Sequence, residues 1–155
     1  MRNASKIGAI LYMIWGLIHV IGGVSILFES TVAGRISMQA SARSTEEFAA
    51  IVDPAVNGIV GYHGFNLIWF GVFAFVVSAT LIWRNLELGY WLNFLILGVI
   101  EIGLINFMLL PGFMKWADGS IGLTLYLFAL FTTSIGFFGT RRVSSTTERK
   151  TATQI

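Results

Sequence analysis

The chain has 155 residues, of which 55% are hydrophobic and only 12% are charged. Soluble domains carry roughly 25% charged residues, so this composition, with a mean hydropathy of +0.77, indicates a membrane protein. The net charge is +2, and the basic residues form no continuous stripe, which excludes a nucleic-acid-binding surface and suits an anionic lipid surface. Cysteine is absent, which excludes disulfides, thiolate metal sites and thiol catalysis.

The first hydrophobic segment, residues 7–28, carries no formal charge and is interrupted by His19. A helix of that length reaches about 33 Å, enough for a hydrocarbon core of about 30 Å. A cleavable signal peptide is the competing interpretation, because Arg2 and Lys6 precede the run and residues 40–42 form a small-residue site. The run is longer than a usual signal-peptide core, so the sequence predicts a retained helix.

A polar stretch, residues 29–55, follows, and we predict that it is an external loop. Ser44 and Glu47 fit a capping box at the start of a helix. The apolar residues after them recur at helical spacing: Phe48, Ile51 and Val52. Two interpretations stay open, a short amphipathic helix on the membrane surface and an ordered loop that covers the bundle.

Three more hydrophobic segments complete the pattern: residues 56–83, 88–110 and 121–140. The turn between the second and third spans is short, which favours antiparallel neighbours. The Ser/Thr-rich, basic tail, residues 141–155, is predicted to be disordered. The predicted fold is therefore all-α, an integral membrane four-helix antiparallel bundle over residues 1–140.

The orientation follows from the Lys and Arg residues near the helix ends. With both termini inside, seven lie on the inner side: Arg2, Lys6, Arg84, Arg141, Arg142, Arg149 and Lys150. Three lie on the outer side: Arg35, Arg43 and Lys115. This bias predicts that both termini are cytoplasmic.

Glu101 lies near the middle of the third span, where a charged side chain costs at least ~2.5 kcal/mol on insertion scales. Counted along the helices, His19 lies at nearly the same depth. The sequence therefore predicts a His19–Glu101 pair, joined by a hydrogen bond or an ion pair, which would lower the cost of both groups. The pair is interpreted either as a polar contact that fixes helix packing or as a ligand-binding or proton-carrying site.

His63 and Asn66 lie one helical turn apart on the second span, nearer the outer rim. Together, His19, His63 and Glu101 could in principle hold zinc or iron. However, no local ligand spacing is present, and His63 should lie about 10 Å or more above the other two. The sequence thus predicts no metal site and identifies no cofactor.

Short motifs in three parts of the chain resemble a family. They are Gly16-Leu17-Ile18-His19 with Gly22-Gly23, Asn66-Leu67-Ile68-Trp69-Phe70-Gly71, and Pro111-Gly112-Phe113 with Trp116. The chain resembles small, largely uncharacterised four-helix bacterial membrane proteins related to the DoxX-like group. This resemblance implies a multi-pass protein of the bacterial plasma membrane and supplies no activity; Glu101 matches none of its motifs.

The leading functional prediction is a pocket that contains His19 and Glu101, with His63 and Asn66 at its mouth. Its apolar walls suit a small lipid- or quinone-like molecule. The alternative is a non-enzymatic accessory or structural subunit, in a homo-oligomer or with a partner membrane subunit. A proton-coupled transporter ranks third, because the inner halves of the spans hold almost no polar residue beyond Asn93.

Overall fold

In this computed structural model the chain is described for three ranges: 2–31, 53–112 and 114–152. The elements in these ranges are helices. Four of them organise the chain: α1 (Arg2–Glu29), α2 (Pro54–Ile82), α3 (Glu87–Leu109) and α4 (Trp116–Ala152). All four are long and apolar enough to cross a membrane, as the hydropathy pattern predicts.

Local chemistry explains where the helices begin and end. Asp53 caps α2, because its carboxylate oxygen accepts hydrogen bonds from the backbone N–H groups of Ala55 (2.7 Å) and Val56 (3.1 Å). Pro54 occupies the first helical position, where its missing N–H is not needed. Between α2 and α3 the chain turns through Asn85, whose φ of 58° lies in the left-handed region that asparagine tolerates better than most residues.

The helices extend beyond the predicted spans at several ends. Helix α1 begins at Arg2 and α4 begins at Trp116, because hydropathy marks the apolar part of a helix rather than its whole length. The backbone of α4 stays helical through Ala152, which differs from the disordered tail predicted for residues 141–155. This tail lacks Gly and Pro and contains Arg, Lys and Glu, which are good helix formers. Most of the predicted external loop, with its capping box, lies outside the described residues.

Two of the helices are not regular α-helices throughout. The last turn of α2, Ser78–Ile82, is π-helical, and α3 contains the π-helical segments Asn93–Leu97 and Ile105–Leu109. Bonds that span five residues mark these turns, such as Trp83 N–H to the Ser78 carbonyl (2.9 Å). Such turns are rare and occur often at functional sites, and two of them flank Glu101.

The predicted single domain divides into two compact units by its internal contacts. Unit 1 comprises Met1–Trp15 with Phe73–Ile155, and unit 2 comprises Gly16–Val72. The core of unit 1 combines side chains from all four helices: Ala9, Tyr12, Trp15, Ala74, Ile82, Leu97, Tyr126 and Ala129. Glu101 belongs to this unit.

Unit 2 is held by glycines that bring α1 and α2 into backbone contact. A Cβ added at Gly23 would lie 2.6 Å from the carbonyl oxygen of Gly64, and one at Gly71 would lie 2.5 Å from that of Gly16. The two pairs are seven residues apart on each helix and run in opposite directions along the chain. Small residues at a helix interface permit this close approach.

Candidate functional site

The carboxylate of Glu101 is held by an indole. Trp15 Nε1 donates a hydrogen bond to Glu101 Oε1 over 2.6 Å, and the two side chains are 0% and 2% exposed. The bond joins α1 to α3 inside unit 1. Hydrogen bonds of this kind lower the cost of placing a polar group in an apolar interior.

The second carboxylate oxygen has no such partner. Glu101 Oε2 is buried and accepts or donates no hydrogen bond within the described part of the chain. Buried polar atoms are bonded in the great majority of cases, and each exception costs about 1–3 kcal/mol. A group that carries this cost inside an aromatic core is a candidate for ligand binding.

Aromatic side chains make up much of the core around this pair. Tyr12 and Tyr126 lie with ring centroids 6.1 Å apart at 59°, and both belong to the same buried cluster as Trp15. The Tyr126 hydroxyl donates to the carbonyl oxygen of Phe94 (3.1 Å) in the first π segment of α3. A Cβ at Gly98 would lie 2.7 Å from that hydroxyl oxygen, so glycine makes room for the tyrosine one turn before Glu101.

A second polar contact lies on the same helix, two turns before Glu101. Asn93 Nδ2 donates to Ser78 Oγ over 3.0 Å, and both side chains are 0% exposed. Each of these residues begins a π segment. Asn93 Oδ1, like Glu101 Oε2, is buried without a hydrogen-bond partner among the described residues.

The π segments explain why these groups share one side of α3. Apart from Tyr90, its buried residues recur at steps of four: Gly89, Asn93, Leu97, Glu101 and, two steps later, Leu109. In a regular α-helix each step of four residues turns the side chain about 40° too far, so the stripe would drift by about 200° from end to end. A turn that spans five residues takes up this drift, and the stripe stays buried.

The residues predicted from the sequence divide between the two units. Glu101 is buried in unit 1, whereas His19, His63 and Asn66 belong to unit 2. There, His19 and Asn66 are half-buried and His63 is exposed. The His19–Glu101 pair stays a prediction, and the bond found for Glu101 comes from Trp15.

Trp15 is the hydrogen-bond donor to Glu101 that the sequence analysis did not identify. It lies four residues before His19, so both side chains project from the same face of α1. An aromatic residue in an apolar helix gives no polar signal, although its indole N–H usually finds a partner when buried. The sequence therefore identified the face of α1 that carries His19, but it did not identify the Trp15 indole as the hydrogen-bond donor on that face.

Metal chemistry gains no support from the geometry. Within the described ranges, no three His, Cys, Asp or Glu side chains come together to hold an ion. This includes His19, His63 and Glu101, the combination considered from the sequence. Asn106, five residues after Glu101, is exposed, and its amide bonds to its own helix at Ile102.

The chain was compared with family models, curated proteins and solved structures. The resemblance to the DoxX-like group stays a prediction, since no family model, curated protein or solved structure matches this chain.

Proposed function

We propose that the chain is a multi-pass protein of a bacterial plasma membrane, folded as an antiparallel four-helix bundle with cytoplasmic termini. Four helices of sufficient length and hydropathy support this proposal. Large apolar side chains that face outward along the helices support it as well, such as Ile59, Val99 and Phe107, which are 70%, 68% and 75% exposed. Lipid is the solvent that suits such surfaces. The orientation rests on the distribution of Lys and Arg.

The same proposal extends to function: the protein binds a small lipid- or quinone-like molecule at Glu101. The observation that carries it is Glu101 Oε2, a buried oxygen with no hydrogen-bond partner among the described residues. A ligand hydroxyl would donate to this oxygen, while Trp15 holds the other one in place. The aromatic core would supply the apolar contacts that a membrane-soluble molecule needs.

A second candidate is a structural role without a ligand. The Trp15–Glu101 bond ties α1 to α3, and the Ser78–Asn93 bond ties α2 to α3. Polar contacts between membrane helices contribute about 0.6–2 kcal/mol each, which suits a packing role in an accessory subunit. Both candidates predict that replacing Glu101 costs stability, so stability alone does not separate them.

Ligand-induced stabilisation separates the two candidates. Purified protein in dodecyl maltoside would be unfolded thermally with decylubiquinol, decylubiquinone or phosphatidylglycerol. A ligand at 100 times its Kd adds about 2.7 kcal/mol, which raises Tm by about 5–10 °C in a chain of this size. We expect at least one probe to produce this shift in the wild type and to lose it in Glu101→Gln.

The chain supplies a matched control on the same helix. Glu87 is exposed, and it accepts a hydrogen bond from Trp91 Nε1 over 3.2 Å, so it repeats the glutamate–tryptophan pair at the surface. Glu87→Gln should leave the ligand shift unchanged. His19→Gln tests the histidine predicted from the sequence. If no probe shifts the wild type, or if Glu101→Gln keeps the shift, the structural role is the correct one.

A further inference from the structure

Among the described residues of unit 1, no buried basic side chain accompanies Glu101. The buried polar side chains of the described ranges are Ser5, Ser78, Asn93, Glu101 and Thr133. Within this set Glu101 is the single residue that can carry a charge. An ionised carboxylate in an apolar interior is very costly unless it is paired, and an unpaired one takes up a proton instead. Ionisation of Glu101 therefore depends on a partner of opposite charge.

The described basic side chains of unit 1 lie at helix ends, away from Glu101. Arg84 and Lys115 are exposed, and Arg84 precedes Glu101 by a stretch of mostly helical chain that spans about 25 Å at the helical rise. Lys6 Nζ is placed over the ring of Trp83, 5.2 Å from its centroid. None of the three is positioned as a partner for the buried acid.

The indole bond holds one oxygen of the Glu101 carboxyl group and leaves the other one available. Trp15 Nε1 lies 2.6 Å from Oε1, while Oε2 has no hydrogen-bond partner among the described residues. A cation bound beside Oε2 would supply the opposite charge that favours the ionised form of this group.

The aromatic rings of the same core also favour a cationic ligand. Tyr12, Trp15 and Tyr126 belong to one buried cluster, and aromatic faces attract cations within about 6 Å. A carboxylate combined with several rings is the chemistry that recognises an ammonium group that also carries apolar substituents. A neutral hydroxyl uses the carboxylate alone.

From these observations we propose that the Glu101 site binds a lipophilic organic cation, whose charge pairs with Oε2 and whose apolar groups lie against the aromatic rings. This inference rests on the proposed function, because it names the ligand class of the same site. It accounts for the orphaned oxygen and for the aromatic side chains of the same core.

The test compares ligands that differ in charge. Binding of tetraphenylphosphonium, a permanent cation, and of triphenylphosphine oxide, a neutral molecule of similar chemistry, would be measured by calorimetry in dodecyl maltoside. We expect the cation to bind the wild type at least about tenfold more tightly. Glu101→Gln should remove this preference, and the surface variant Glu87→Gln should keep it.

A second measurement needs no variant of Glu101. Dicyclohexylcarbodiimide modifies carboxyl groups in apolar surroundings, and mass spectrometry of the peptide that contains Glu101 reports the extent of modification. Tetraphenylphosphonium should slow this labelling in the wild type, and triphenylphosphine oxide should not. This labelling experiment tests cation binding at Glu101 even if the Glu101→Gln variant does not fold.

The outcomes separate the two proposals. Equal binding of the cation and the neutral molecule, or cation binding that survives Glu101→Gln, overturns the cation inference. If decylubiquinol binds in a Glu101-dependent manner while the cation does not, the proposed binding function stands and the inference about its ligand fails. If neither ligand depends on Glu101, both fail.

Discussion

The glycine contacts of unit 2 lead to a prediction with an internal control one residue away. A Cβ at Gly23 would lie 2.6 Å from the Gly64 carbonyl oxygen and 2.8 Å from two atoms of Ile68, whereas a Cβ at Gly22 would have no atom within 4 Å. We therefore expect Gly23→Ala to destabilise the protein and Gly22→Ala to leave it as stable as the wild type or more so.

The size of the difference follows from the distances. An ordinary contact begins at 3.4 Å, so at Gly23 the two backbones would have to separate by about 0.8 Å, and overpacking of this kind costs about 1–3 kcal/mol. Replacing glycine by alanine in a helix gains up to about 1 kcal/mol at either position. This gain cancels between the two variants, which leaves Gly23→Ala less stable than Gly22→Ala by about 1–3 kcal/mol.

Unfolding by dodecyl sulfate in mixed micelles, followed by far-UV circular dichroism, measures this difference. A second pair repeats the comparison on α2, where a Cβ at Gly58 meets open space and one at Gly64 lies 2.8 Å from the backbone nitrogen of Leu27. Equal stability of Gly22→Ala and Gly23→Ala would refute the reasoning, because it would mean that α1 and α2 are not in close backbone contact at these glycines.

Two further predictions concern the core of unit 1. Gly98→Ala should destabilise the protein by about 1–3 kcal/mol, because its Cβ would press on the Tyr126 hydroxyl. Tyr126→Phe removes that oxygen, so the double variant should recover much of the loss; independent, additive effects in the double-mutant cycle would contradict the contact. Trp15→Phe leaves Glu101 Oε1 without its donor and should cost about 1–3 kcal/mol. Trp91→Phe, at an exposed position, should cost less than about 0.5 kcal/mol in the same unfolding assay. Equal losses in the two variants would show that the buried bond stabilises the protein no more than the exposed one.

The four helices could be predicted because their signals are local. Long apolar runs and the polar residues between them mark the spans without any knowledge of packing, and TM-length helices were found at all four places. The structure adds a local reason for the start of α2, because Asp53 caps the helix that begins at Pro54. The helical course of residues 141–152 was not predicted, because disorder was inferred from the low apolar content of this segment. A low apolar content shows that a segment is not buried, but it does not prevent the segment from forming a helix.

The site was only partly predictable because its geometry depends on contacts distant in sequence. Glu101 was identified by its charge in an apolar segment, but Trp15 lies 86 residues away and carries no polar signal in a hydropathy profile. Gly71 was likewise read as part of a motif rather than as the partner of Gly16. The π segments change the helical period, and a prediction that assumes 3.6 residues per turn cannot place the side chains beyond them.

The two π segments of α3 also constrain how this helix tolerates changes in length. Each contains one residue more than a regular turn, and removing that residue would restore the α-helical period while turning the rest of the helix by about 100°. A deletion within Asn93–Leu97 would then swing Glu101 away from Trp15, although no residue of the pair had changed. A deletion within Ile105–Leu109 would leave the pair intact and turn only the residues that follow. A one-residue gap within Asn93–Leu97 in a related sequence would therefore mark the loss of the Trp15–Glu101 contact, whereas a gap within Ile105–Leu109 would not.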